Sequence, residues 1–147
     1  MRVLGVDPGV RRIGLAMSEQ DVGIASPLST VPGGDPERSA HTLAAEVQRL
    51  EVGKVVVGLP LRLDGSEGEA ARRVRVLADR LRALTRIEVV LWDERLTTKA
   101  AERALGEAGV RGKKRRQSVD RIAAALILQS YLDAERARDC DDTGFPR

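Results

Sequence analysis

An α/β fold in one domain is predicted by three features of this 147-residue chain. Short apolar runs alternate with stretches of helical periodicity, and the run KVVVG is apolar throughout, as strands buried on both faces of a parallel sheet are. Acids close the strands RVLGVD and IEVVLWDE, at the edge where open α/β sheets place their ligands. The length is enough for a real core and too short for two independent lobes.

Arg2 to Asp7 reads as the first strand, and Pro8 with Gly9 turns the chain. Ile13 to Ser18 and Gly23 to Val31 follow as two more strands, giving a meander. Asp35 and Pro36 cap and begin a helix to about Leu50, with Leu43, Ala44, Val47 and Leu50 on one stripe. That helix is the crossover a parallel strand at Lys54 to Gly58 requires. After the loop LPLRLDG, Ser66 and Glu69 form a capping-box signature for a helix to about Leu84. Val74, Leu77 and Leu81 face inward, while Arg72, Arg73, Arg75, Arg80 and Arg82 lie outside. Ile87 to Trp92 is the fifth strand, and Thr97 or Thr98 caps a helix reaching Leu105. Residues 106–116, with three glycines and five basic side chains, read as a mobile loop. Ser118 then caps a last helix whose AAA segment suits close packing on a sheet.

The formal charge is +3 with a pI near 9.5. Residues 71–121 hold 15 Lys/Arg against 7 Asp/Glu, whereas the last fifteen residues hold five acids and three Arg. A basic middle masked by an acidic end points to a polyanionic partner, although a generally Arg-rich surface has the same composition. The one cysteine, Cys140, has no partner for an internal disulfide or a zinc site. No secretory h-region and no run of 18 apolar residues occurs, so the cytoplasm is the expected compartment, with no membrane partner.

Asp7, the Asp93/Glu94 pair and Asp120 are far apart in the chain, and each stands where an element starts or stops. Phosphodiester hydrolysis needs an activated water, charge stabilisation and help for the leaving oxygen, which two divalent ions about 4 Å apart supply. Clustered carboxylates without paired His or Cys suit Mg2+ or Mn2+. Each acid also has a structural use. Asp7 can form a turn before Pro-Gly, and Asp120 can complement a helix dipole, worth about 0.3–1 kcal/mol. Asp93 and Glu94 point to opposite faces if extended, so one aims into the site while the other pairs with Arg95 or a cap; Glu94 is favoured narrowly. His41, on a polar helix, is expected to be solvated.

The segments LGVDPGVRRIGLAMS, VVVGLPLRLDGSEG, WDERLTTKAA and SVDRIAAALILQSYLD together resemble the YqgF/RuvX family of RNase H-like nucleases over residues 2–132. The resemblance implies a five-stranded mixed sheet flanked by helices, with a nuclease domain at 1–136 and a polar tail at 137–147. It implies metal ligation by Asp7, Asp93 or Glu94, and Asp120, with Asp7, Glu94 and Asp120 catalytic. It further implies action on the 5′ end of precursor 16S ribosomal RNA, with the assembling small ribosomal subunit as partner, or on Holliday junctions. A junction enzyme would need two active sites and hence a homodimer. Pro8 stands where many members carry an aromatic residue, and Glu19 where an Asp is more usual.

Lys113, Lys114, Arg115 and Arg116 beside Asp120, and Arg11, Arg12, Arg62 and Arg95 near the other acids, are the candidate phosphate contacts. One Trp, one Tyr and one Phe leave no stacking platform for unpaired bases, so recognition by backbone shape is expected. Two other classes share these features. A nucleotide phosphotransferase opens with a comparable strand and Asp-Gly turn but needs a second lobe, and a non-catalytic binding module would keep the acids as caps and turns.

Overall fold

The structure is a computed structural model that describes residues 1–19, 22–95 and 112–143. Strands β1 (Arg2–Pro8), β2 (Arg12–Glu19) and β3 (Ser26–Pro32) form the antiparallel meander. Strands β4 (Val52–Leu59) and β5 (Glu88–Asp93) continue the sheet in parallel beyond β1, giving the order β3-β2-β1-β4-β5. Among the described residues three helices flank it: α1 (Pro36–Arg49), α2 (Glu69–Thr85) and α3 (Gly112–Thr143).

Helices α1 and α2 pack on each other and on one face. Leu43, Val47, Val74, Leu77 and Leu81 bury there against Leu4, Val6, Leu15, Val55 and Val57. The Asp35 carboxylate caps α1 by accepting from the Arg38 N–H at 3.0 Å, and Pro36 supplies the preset first turn. Arg86 ends α2 in the left-handed conformation, φ 59°, and Arg82 donates to the Val89 carbonyl at 2.7 Å, fixing the turn into β5.

The opposite face belongs to α3. Ala124, Ala125, Ile127, Leu128, Tyr131 and Leu132 bury against Val3, Ala16 and Val56. A Cβ at Gly5 would stand 2.7 Å from the Leu128 Cβ, so glycine there lets the helix come close. Farther along, the buried Lys54 ammonium donates to the Tyr131 hydroxyl at 2.9 Å, and Trp92 meets the Tyr131 ring edge-on.

The strands, the meander, the crossover and α1 match the expectations from sequence. Three readings are corrected. Helix α2 starts at Glu69 with Gly68 before it, because Ser66 donates to the Asp64 carboxylate at 2.6 Å inside a hairpin-like loop whose Arg62 N–H bonds the Ser66 carbonyl. Residues 112–116 are helical, since Lys, Arg and Gln are good helix formers once the glycines end. Ser118 consequently lies inside α3 and does not begin it. The helix expected from Thr97 or Thr98 to Leu105 lies outside the described residues, as does 106–111. Helix α3 continues to Thr143, so the boundary drawn at 136 falls within it. Among the described residues, no helix is long and apolar enough to cross a membrane.

Candidate active site

Alternation along β1 puts Val6 into the core beneath α1 and α2, so Asp7 faces α3. Asp7 pairs with Gly14 on β2, and on its other side Gly58 follows the Val6–Val57 pair of β4. The acid is thus flanked by two strand glycines on its own face. Each receives another acid. A Cβ at residue 14 would collide with the Asp120 carbonyl of α3, and one at residue 58 with the Glu94 carboxylate. Glu94 reaches that place because it follows directly on β5, its N–H continuing the parallel ladder by donating to the Leu59 carbonyl at 3.3 Å. Isolated glycines inside strands mark a close approach, and that was the available signal for these two positions, which the reading of the acids alone passed over.

Asp7 and Glu94 share a proton. Burial raises both carboxyls, Asp7 to about 6 and Glu94 to about 8. For Asp7 the hydrogen bond from Glu94 counteracts burial, and the charge of Asp120 adds to it. For Glu94 the charge of Asp7 adds to burial, followed by their hydrogen bond and the charge of Asp93. Glu94 therefore holds the proton and Asp7 the negative charge near neutrality, as expected for like charges in a site with little water. Asp120 is balanced otherwise: the Arg12 guanidinium donates to its Oδ2 at 2.7 Å, with both side chains part-buried.

Of the adjacent pair, Asp93 turns outward. It accepts from the Arg95 backbone at 3.0 Å and from its guanidinium at 2.8 Å, which holds the Asp93 carboxyl below its ordinary value. Arg95 also reaches toward the Leu63 carbonyl at 3.4 Å, and the Arg62 guanidinium lies beside Gly68. Arg11 is exposed next to the site, and His41 is exposed on α1, 3.4 Å from Glu37. Lys113, Lys114, Arg115 and Arg116 lie in the first turns of α3, N-terminal to Asp120, and their side chains are outside the described residues.

Three carboxylates on one face, two of them in contact and the third near enough for its charge to act on Asp7, are the hard oxygen donors that Mg2+ or Mn2+ require, and crowding of like charge is what a divalent cation relieves. The donor chemistry of these residues suits such an ion. As the side chains stand, no three acidic, His or Cys residues among those described are grouped so as to hold an ion. Asp7 and Glu94 are turned to each other and Asp120 to Arg12, so an ion would replace a shared proton and an ion pair.

A mixed sheet in this order with acids from its first strand, from beyond its last strand and from a helix across both defines an RNase H-like nuclease. Residues 1–134 match the model of the RuvX family, described as Holliday junction resolvase, and the chain belongs to that family. It is 48% identical over 134 residues to a protein of Syntrophus aciditrophicus, covering 91% of this chain and 89% of that one. A protein of Chloroflexus aggregans is 44% identical over 134 residues, covering 91% and 94%. Both carry the name "Putative pre-16S rRNA nuclease". Among solved structures, Thermus thermophilus RuvC in complex with Holliday junction substrate superposes with TM-score 0.57 at 19% identity, covering 92% of this chain and 95% of that one. The Fowlpox virus resolvase bound to Holliday junction DNA gives 0.58 at 12%, covering 92% and 99%. At such identities these two show a shared fold.

Proposed function

We propose that this chain is a divalent-metal-dependent nuclease that hydrolyses phosphodiester bonds in structured nucleic acid, with the 5′ end of precursor 16S ribosomal RNA as its substrate. The observation that carries this is the seating of Glu94 and Asp120 on the two glycines beside Asp7, which gathers three acids at one sheet edge. Asp7, Glu94 and Asp120 would hold Mg2+ or Mn2+, with Asp93 outside the cluster. Bound there, the metal would supply the polarised water and the charge stabilisation the reaction needs. The chain itself contributes position. Asp7 comes from the central strand of the sheet, Glu94 is held by its backbone bond to Leu59 at the end of β4, and Asp120 by the contact of α3 with β2.

Arg11, Arg12, Arg62 and Lys113 to Arg116 supply positive charge around the acids, suited to the phosphate backbone, while Arg95 supports the loop beside them by pairing with Asp93. The family's description favours branched DNA as a second reading, for which a homodimer would be required. Cleavage of a precursor 16S fragment, a four-way junction and plain single strands, with Mg2+ and Mn2+ varied, separates the two. Asp7→Asn is expected to abolish cleavage, by at least about a thousandfold, while leaving nucleic-acid affinity nearly intact. Undiminished cleavage by this variant would remove Asp7 from the mechanism, and preference for the junction would replace the ribosomal reading.

A further inference from the structure

Arg12 does more than lend charge to the rim. On β2, Arg12 and Gly14 share the face that α3 covers, and both meet the same residue: the Asp120 carbonyl lies over Gly14 while the Asp120 carboxylate accepts from Arg12 Nε at 2.7 Å. Side chains in this pair are 29% and 22% exposed, so the bond is not the solvent-screened kind that contributes almost nothing. The Asp120 charge also presses on Asp7. A cation is thus already seated on one of the three acids, from the strand next to Asp7.

We propose that Arg12 is a placeholder for the divalent ion: it neutralises Asp120 while the site is empty, and metal binding displaces it from that carboxylate. The proposal rests on the reading of Asp7, Glu94 and Asp120 as metal ligands. Holding Asp120 with a covalently attached cation keeps α3 docked on β2 despite the negative charge of Asp7. The cost is competition, since the ion cannot take the Asp120 oxygen that Arg12 occupies. Metal affinity is therefore set by the strength of this ion pair as well as by the ligands.

Isothermal titration of the full chain with Mn2+ tests this, without nucleic acid. Arg12→Gln is expected to bind Mn2+ about tenfold more tightly than the unsubstituted protein, equivalent to about 1.4 kcal/mol. Its metal-free melting temperature should fall, and saturating Mn2+ should recover most of the difference. Arg12→Lys, a cation without the fork, is expected to fall between the two. Weaker or unchanged Mn2+ binding by Arg12→Gln, with native circular dichroism, overturns the placeholder while leaving the metal site standing. Failure of the unsubstituted protein to bind Mn2+ at all overturns both. If Arg12→Gln does not fold, Arg12→Lys decides alone, by binding more tightly or not.

Discussion

The two faces of the sheet are filled by different means. Beneath α1 and α2, leucine and valine interdigitate in a broad apolar core, and the distance between layers is set by their bulk. Beneath α3, alanine meets Gly5, and the helix backbone comes down until Asp120 rests on Gly14. The second face gives up apolar area for proximity. Only a helix that close can set Asp120 over the glycine paired with Asp7, so the thin face carries the three acids and the thick face the broader apolar core.

The largest break in this contrast should come from Gly14→Val. Its side chain meets the Asp120 backbone, which cannot give way as a flexible side chain would. About 3 kcal/mol of destabilisation in a denaturant melt is expected, together with at least about a hundredfold loss of cleavage in the protein that remains folded. On the other face, Leu43→Ala should cost about 2–4 kcal/mol through its cavity yet leave the cleavage rate of folded protein unchanged. A matching loss of rate there would mean that the faces do not divide the work.

Acidity sharpens the comparison. The folded-state values of Asp7 and Glu94 lie above those of the unfolded chain, so the stability tied to their protonation is complete below about pH 4 and declines as pH rises through about 6 and 8. Melting temperatures from pH 4 to 9 should record a marked loss of stability, which Asp7→Asn flattens and Mn2+ reverses at the alkaline end. Leu43→Ala should shift the whole curve and keep its shape. The smallest effect is expected from Lys54→Met, about 1 kcal/mol from the lost bond to Tyr131, with cleavage unaltered because this anchor of α3 lies at the opposite end of the sheet.

Periodicity revealed the five strands and both crossover helices because their burial is one-sided or complete, and such patterns survive in a linear chain. Asp7 was visible for a similar reason, as an acid at the end of an apolar strand. Choosing between Asp93 and Glu94 was harder, since adjacent carboxylates differ only in direction, and that direction is settled by Arg95 bonding Asp93. Arg12 was read as a phosphate contact and is found on Asp120, 108 residues away in sequence, a pairing no local pattern encodes. Ser66 looked like a helix cap because its spacing to Glu69 is correct, but the competing bond to Asp64 lies two residues off and wins.

Asp7 comes from the first strand and Asp120 from the last helix, and this order has a consequence during synthesis. At 5–20 residues per second, roughly 6 to 23 s separate translation of the two acids. Through that interval the nascent chain can assemble its meander yet lacks the helix that sets Asp120 over Gly14, so the face of the sheet that bears Asp7 stays uncovered until α3 has been made.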